Sequence, residues 1–392
     1  MQHLNSSPDF KYKEHDNSFL NESVFTDEFR ISPPKISDPA VLQGELPRRL
    51  NVGDALYSGK KYSILSPVTG VASRTPDSDG VSLRIDGGIR KKEVFENRFL
   101  SVNEVSSRIL SSGLFSLDFP EIPLLELFQR FSGEKNSQII FSPFTKDNFI
   151  DFALLVSANY TEVFALLQKN LKEIYPDSEI KEHISGNRIR FEYPLGNPSF
   201  FLSKTDSAFD TGKFPHESVL YFGPETLFHL LRVLYFSAPF ISRHIPILTV
   251  DSGGRVSRGV RNFILRNGQS LSFLRSFYAK KYPYFTFNSM YDKNGFSNSL
   301  SPFYIDIYRQ YSIIFFSEKP ATGRELACID CGDCSLYCPV SANPRALLDG
   351  NADQFDSLRC IECGLCTFYC PSRIDFRERI QKIKYPVASN GE

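Results

Sequence analysis

The chain has 392 residues and balances 45 Lys and Arg against 45 Asp and Glu, so it carries no formal net charge. That balance argues against nucleic-acid binding, which draws on a basic excess. A hydrophobic content of 41% and a charged content of 23% are those of a globular protein, with length for about two to four domains. No run reaches the roughly 18–20 apolar residues of a membrane span.

Residues 1–36 are polar and of mixed charge, and close on Pro33 and Pro34. They read as a flexible arm, with a partner-binding arm as the second reading. The first residues lack the apolar core of a secretion signal, so the chain is expected in the cytoplasm, where thiols stay reduced. Residues 37–100 show short alternating strands broken at Gly53-Asp54, Gly59, Pro67 and Gly70, the pattern of a small all-β unit. Its stretches Val52–Gly59 and Ser66–Gly70 resemble the barrel-sandwich hybrid of biotinyl and lipoyl domains. Lys60 and Lys61 stand near the position of a carrier lysine there, but precede a strand; a scaffold role fits better.

Residues 101–235 alternate between helix and strand patterns and read as an α/β domain. Residues 105–113 form an amphipathic helix closed by Gly113, residues 137–144 a buried strand, and residues 158–176 a helix stopped at Pro176. The apolar run 227–241 carries His229 and Arg232 and reads as a buried helix or strand pair. Residues 236–280 give two strands around Gly253-Gly254, a third over 262–266 and a short helix, a β-grasp, SLBB-like pattern. Residues 281–320, rich in Tyr and Phe with few regular signals, read as a connector packing on the last domain.

That last domain, 321–392, holds all eight cysteines. It reads C-I-D-C-G-D-C-S-L-Y-C-P from Cys328 and C-I-E-C-G-L-C-T-F-Y-C-P from Cys360. Both have the pattern C-x2-C-x2-C-x3-C-P, the spacing of bacterial two-cluster ferredoxins, in which the fourth cysteine crosses to the other cluster. Cys328, Cys331, Cys334 and Cys370 are therefore assigned to one 4Fe–4S cluster, and Cys360, Cys363, Cys366 and Cys338 to a second. Zinc fits a continuous triple C-x2-C repeat poorly, and disulfides need an oxidising compartment. Gly332 and Gly364 are placed to turn the loops tightly, and Pro339 and Pro371 to stop each loop and start a helix. Helix, turn and helix are expected over residues 343–359, and a basic amphipathic helix over 373–384.

Other chemistry is thin. No two of the six His residues have metal-ligand spacing, and His229 reads as core. Gly223–Glu225 and Ser252–Gly254 read as turns before they read as phosphate loops. Arg359, Arg373, Arg377, Arg379, Lys382 and Lys384 put positive charge near the second cluster. They read as a solvated face, or as a docking face for an acidic partner such as a ferredoxin.

Order and motifs together resemble the RnfC-type subunit of the Rnf electron-transport complex. Cys328-Ile329, Cys360-Ile361-Glu362-Cys363-Gly364 and Cys370-Pro371-Ser372 stand in that family's dicluster pattern. Arg243 to Gly253 echo its β-grasp element, and Val52–Gly59 with Ser66–Gly70 look like its N-terminal signature. The resemblance implies a multidomain α+β fold: a barrel-sandwich segment, a central α/β domain, a β-grasp segment and a helical dicluster ferredoxin domain. It also implies a membrane redox complex reached through partner subunits, a ferredoxin or a flavoprotein, on the inner face of the cell membrane. RnfC-type proteins bind FMN and NADH through a Gly-rich loop and, beyond it, an acidic Cys-containing turn. The matching stretch here, Ser111–Ile122, keeps only Gly113, Phe119 and Pro120 in kind. Leu114, Phe115, Leu117 and Asp118 would crowd a phosphate cradle, and Asp118 would repel its ligand. The turn's counterpart, 141–147, has neither an acidic pair nor a Cys. The loss is similar to that in the related subunit of the sodium-pumping NADH:quinone reductase, which also lacks the clusters. The expected function is thus single-electron relay through two 4Fe–4S clusters, with no catalytic acid or base. An NADH-oxidising, FMN-containing dehydrogenase subunit and a structural or redox-sensing iron–sulfur scaffold remain as alternatives.

Overall fold

The computed structural model describes residues 28–33, 40–75, 80–85, 95–119, 122–144, 150–182, 195–205, 217–252, 260–288, 303–318, 325–348, 354–357 and 359–384. Its N-terminal part is two small antiparallel sheets. Strands β1 (Glu28–Ile31), β3 (Arg48–Leu50), β6 (Gly70–Arg74) and β7 (Val81–Ile85) form one, in the order β1-β7-β6-β3. Strands β2 (Val41–Leu42), β4 (Ala55–Ser58) and β5 (Ser63–Leu65) form the other, in the order β2-β4-β5. Alternation drives the first: in β6 Ala72 is buried between exposed Val71 and Ser73, so one face meets the core and the other meets water.

Two expectations are corrected here. The expected arm 1–36 contains β1, whose Phe29 and Ile31 are buried and whose backbone pairs with β7 from Glu28↔Arg84 to Ile31↔Val81. Alternate apolar residues flanked by charge were the missed strand signal; the rest of the arm, apart from residues 32–33, lies outside the described residues. Lys60 and Lys61 sit in the turn of the β4–β5 hairpin, closed by the Gly59 N–H on the Tyr62 carbonyl at 2.9 Å. Lys60 is exposed, while Lys61 reaches Glu126 at 3.5 Å.

Helix α1 (Val102–Ser112) opens on a capping box between Ser101 and Glu104 and closes on Gly113 at φ 73°, as its sequence predicts. Helix α2 (Leu124–Arg130) comes next. Strands β8 (Gln138–Phe141), β9 (Glu179–Glu182) and β10 (Val219–Phe222) then form an all-parallel sheet in the order β10-β8-β9. Helices α3 (Phe152–Asn159) and α4 (Thr161–Ile174) connect β8 to β9, and α5 (Pro198–Thr205) lies between β9 and β10 in the chain. Helix α6 (Pro224–Phe236) resolves the 227–241 run as a helix, buried on nearly every side, as a helix apolar all round must be.

A mixed sheet completes the body: β11 (Ser242–Val250), β12 (Arg261–Arg266), β13 (Tyr284–Phe287) and β14 (Ile313–Phe316), in the order β12-β11-β14-β13. The strand expected just after Gly254 lies outside the described residues. Helix α7 (Leu274–Tyr278) is the expected short helix. The expected connector 281–320 is corrected: it supplies β13 and β14, with β14 parallel to β11. Phe285, Phe287, Ile313 and Phe315 are buried, so β13 and β14 are covered strands, which lack alternation. One contiguous apolar core joins these parts, from Phe29 to Phe315.

At its centre two histidines face each other across α6 and β11. The rings of His229 and His244 lie 6.5 Å apart among Phe152, Phe228 and Phe240. Burial, then the charges of Arg232, His244 and Arg243, hold His229 well below its ordinary value. Burial, then Arg232, brings His244 down to about 4. Among the described residues Nε2 of His229 has no hydrogen-bond partner. Both rings are neutral in the folded chain and protonate near 6.5 when it unfolds. Their contribution to stability is thus complete above about pH 6.5 and falls with pH below it, for His244 at about 1.4 kcal/mol per pH unit down toward 4. Urea midpoints measured by circular dichroism should fall steadily across that window, and less steeply in His244→Leu. Equal slopes in the two proteins would remove His244 from this account.

The C-terminal part has its own small core of Val340, Ala342, Ala346, Phe355, Ile374, Phe376 and Ile380, with Cys334 and Cys366 inside it. Its elements are short: α8 (Asp333–Leu336), a 3-10 turn (Pro344–Leu347), α9 (Leu365–Phe368) and α10 (Phe376–Lys384). The two α-helices expected over residues 343–359 are corrected to that 3-10 turn and, among the described residues, a bend near Phe355. Among the described residues of the chain no helix is long and apolar enough to cross a membrane.

Candidate metal centre

The two cysteine motifs fold as repeats offset by 32 positions. Asp330 and Glu362 both take left-handed backbone, at φ 57° and 56°; Gly332 and Gly364 both sit at 76°, and Ser341 and Arg373 at 55° and 58°. Five of the eight described non-glycine residues with positive φ are in this domain, so backbone strain concentrates around the cysteines, as it does at functional sites. At Gly332 an added Cβ would meet no protein atom within 4 Å. The positive φ that reverses the loop onto α8 is therefore what calls for glycine there.

The prolines act differently from expectation. Pro339 and Pro371 do not open helices; each is the second residue of a turn. The Ser341 N–H donates to the Cys338 carbonyl at 3.2 Å, and the Arg373 N–H to the Cys370 carbonyl at 3.0 Å. Proline's fixed φ suits that position. Each turn swings the next backbone amides back onto the crossing sulfur: Ala342 N–H lies 3.2 Å from Cys338 Sγ, and Ile374 N–H 3.4 Å from Cys370 Sγ. In the first loop Asp330 N–H lies 3.4 Å from Cys328 Sγ. Such N–H···S contacts favour the thiolate and raise a cluster's potential.

The structure also sorts the thiols. One cavity is lined by Cys360, Cys363 and Cys366 of the second motif and by Cys338 of the first, with Val340, Ile361 and Ile380 as apolar wall. Burial first, then the neighbouring thiols of Cys363, Cys360 and Cys338, pushes the Cys366 thiol up to about 12. Cys334 is raised by burial, and among the cysteines by Cys370 and Cys331. Cys338 of the first motif thus stands with the second motif's three cysteines, and Cys334 lies near enough to Cys370 for their charges to interact. Among the described residues no three His, Cys, Asp or Glu are arranged to hold a single metal ion. Four thiols around a cavity, with amides aimed at sulfur, suit a polynuclear cluster better than one tetrahedral ion.

Around these loops the expected basic face is largely paired. Arg359 meets Asp356 at 3.3 Å, Arg377 meets Asp375 at 3.5 Å, and Arg379 pairs with Glu325. Arg373 and Lys382 are exposed. Two features escaped the sequence reading. The rings of Tyr337 and Tyr369, each just before a crossing cysteine, stack at 4.0 Å; tyrosine at the same register in both motifs was the available signal. Phe200 of α5 packs against the cluster-domain core, while Phe201 and Leu202 of the same helix pack with Ile140 and Tyr221 of the parallel sheet. No periodicity marks that bridge.

The stretch Ser111–Ile122 runs into the interior. Leu114, Phe115, Leu117 and Asp118 are all buried. Oδ2 of Asp118 accepts the Gly223 N–H at 2.8 Å, at the N-terminus of α6, and the Leu117 N–H reaches Thr226 Oγ1 at 3.2 Å. The Gly223–Glu225 turn is thus the start of α6, with the chain's own carboxylate on its positive end. A Cβ at Gly223 would stand 2.0 Å from Asp118 Oδ1. Gly223→Ala should therefore cost about 2 kcal/mol by expelling this cap, and clearly less in an Asp118→Ala background. A double-mutant cycle in urea checks it; additive effects would show that the two residues are not coupled.

The 4Fe–4S dicluster domain family matches residues 323–371, the C-terminal domain alone. No curated protein matches the chain. The C-terminal domain is a 4Fe–4S dicluster domain joined to a mixed α/β body of several sheets, which supports an iron–sulfur electron-transfer role.

Proposed function

We propose that this chain relays single electrons through two 4Fe–4S clusters, one held by Cys328, Cys331, Cys334 and Cys370, the other by Cys360, Cys363, Cys366 and Cys338. The observation that carries this reading is the cavity in which Cys338 joins the three cysteines of the other motif. When bound, each cluster supplies reversible one-electron chemistry at low potential. The protein's part is structural and electrostatic. The left-handed turns gather three thiols of each loop, the proline turn delivers the fourth, and backbone N–H groups steady the charged sulfurs. Burial favours protonated thiols at neutral pH, so ligation of Cys334 and Cys366 displaces their protons, and metal loading weakens as pH falls.

The finer reading places the chain in an Rnf/Nqr-like membrane-associated redox complex. Its N-terminal β segments would be the barrel-sandwich part, and β11, β12 and α7 the β-grasp, SLBB-like part. Support comes from the order of motifs and from the small antiparallel sheets preceding a parallel one. Asp118 on the α6 N-terminus supports a relay without FMN or NADH at that place, since a phosphate would compete with a buried carboxylate for the same backbone donor. The test is anaerobic purification with iron, sulfide and flavin measured on one sample. About eight iron and eight sulfide per chain without flavin is the expected result. Stoichiometric FMN would restore the NADH-oxidising dehydrogenase. Full clusters that no donor reduces would leave the scaffold reading, and zinc in place of iron would overturn all three.

A further inference from the structure

The two repeats share a backbone but not a cover. Of the equivalent positions from 328 to 341, seven are more open in the first repeat, Gly332 among them, and one, Pro339 against Pro371, is more open in the second. Cys328, Ile329, Asp330, Cys331, Leu336 and Tyr337 are exposed, whereas Cys360, Ile361, Glu362, Cys363, Phe368 and Tyr369 are only partly so. Ile361 and Ile380 line the cavity of the second site, whereas Ile329, the counterpart of Ile361, is exposed. Leu336 at 73% and Ile329 at 68% are the two most exposed large apolar side chains described, with Leu326 at 57% and Tyr337 at 42% in the same stretch. Apolar groups gathered at one place on a surface, and not scattered singly, mark an interaction site. The loop carries two acidic residues, Asp330, which pairs with Arg345 at 3.1 Å, and Asp333.

We propose that the Leu326–Tyr337 surface is the electron port of the chain, covered in use by a partner protein that carries its own redox centre. The partner's face is apolar at its middle, against Ile329 and Leu336, and basic where it meets Asp333. A second copy of this chain fits less well, because exchange between two identical first sites has no driving force. The proposal rests on the dicluster reading, and it adds a direction: electrons enter or leave at the first cluster, whose Cys328 and Cys331 are exposed.

The test uses the full chain in its native host, with p-benzoylphenylalanine replacing Ile329 or Leu336, and, as control, Phe368. Photolysis is expected to join the first two variants, and not the third, to one other polypeptide that holds a flavin, haem or iron–sulfur centre. That polypeptide, purified, should exchange electrons with the dithionite-reduced chain. Ile329→Ser/Leu336→Ser should slow the exchange about tenfold, with oxidation by methyl viologen unchanged. Crosslinks within the chain or to a second copy, no crosslink, equal crosslinking from Phe368, or equal slowing with methyl viologen would each overturn the proposal. Iron and sulfide assayed on the same samples separate this failure from failure of the dicluster reading, which would show as a chain without clusters.

Discussion

Cys338→Ser is expected to remove the second cluster and spare the first, although Cys338 belongs to the first motif. The cavity that Cys338 enters is otherwise built from Cys360, Cys363 and Cys366, and serine oxygen is a poor substitute for thiolate toward iron. The purified variant should hold about four iron per chain in place of about eight. Its dithionite-reduced electron paramagnetic resonance spectrum should match that of Cys363→Ser, which disables the same site from within the second motif. Cys370→Ser should instead match Cys331→Ser. If Cys338→Ser matched Cys331→Ser, each motif would serve its own cluster and the crossed ligand set would be wrong. Because the thiols share the small core with Val340, Phe355 and Ile380, loss of a cluster also loosens that core. The variants are therefore best compared at low temperature and without oxygen.

The cysteine domain was legible because its chemistry is local. Eight ligands fall within 43 consecutive residues, Cys328 to Cys370, and their spacing carries geometry that no burial pattern could erase. Gly113, α4 and α6 were legible for the same reason: a cap or a helical period is written into neighbouring residues. The missed elements depend on contacts distant in sequence. β1 is a strand because β7, some fifty residues later, offers it an edge. β13 and β14 are strands because β11 offers β14 an edge and β14 offers one to β13, and burial removes the alternation that would have marked them. Asp118 looked like a residue misplaced in a phosphate loop; it is a helix cap for a residue 105 positions away. The repeats themselves show the limit most directly. Ile329 and Ile361 occupy the same place in near-identical motifs, yet one is exposed and the other drawn in. The difference lies in the segment C-terminal to each repeat, a 3-10 turn in one case and α10 in the other.

Glu225→Ala is expected to be the most destabilising single change in the body of the chain. Arg243 on β11 is buried, with 3% of its side chain exposed. Its Nε and Nη2 donate to the two carboxylate oxygens of Glu225 on α6 at 2.8 and 2.7 Å, and its Nη1 donates to the Ile307 carbonyl at 3.0 Å. Three separate segments thus close on one guanidinium. Arginine cannot shed its proton when its partner is removed, so Glu225→Ala strands a buried charge, at a cost of about 3–5 kcal/mol. Arg243→Met should cost less, because Glu225 retains 12% exposure and so some contact with water. Replacing both, as Glu225→Leu/Arg243→Met, should recover much of the loss. Urea midpoints at unchanged slope would measure all three; a Glu225→Ala cost below about 1 kcal/mol would mean the pair is effectively solvated. Iron content should stay at the wild-type level in every variant, since Cys334, Cys338, Cys360, Cys366 and Cys370 belong to a separate core. The pair's work is in the frame instead: Glu225 lies two residues beyond Gly223, whose cap is Asp118, so α6 is fastened at one end to the Ser111–Ile122 stretch and to the mixed sheet together. Losing Glu225 should loosen that junction and lower the unfolding temperature of the α/β body while the cluster domain keeps its metal.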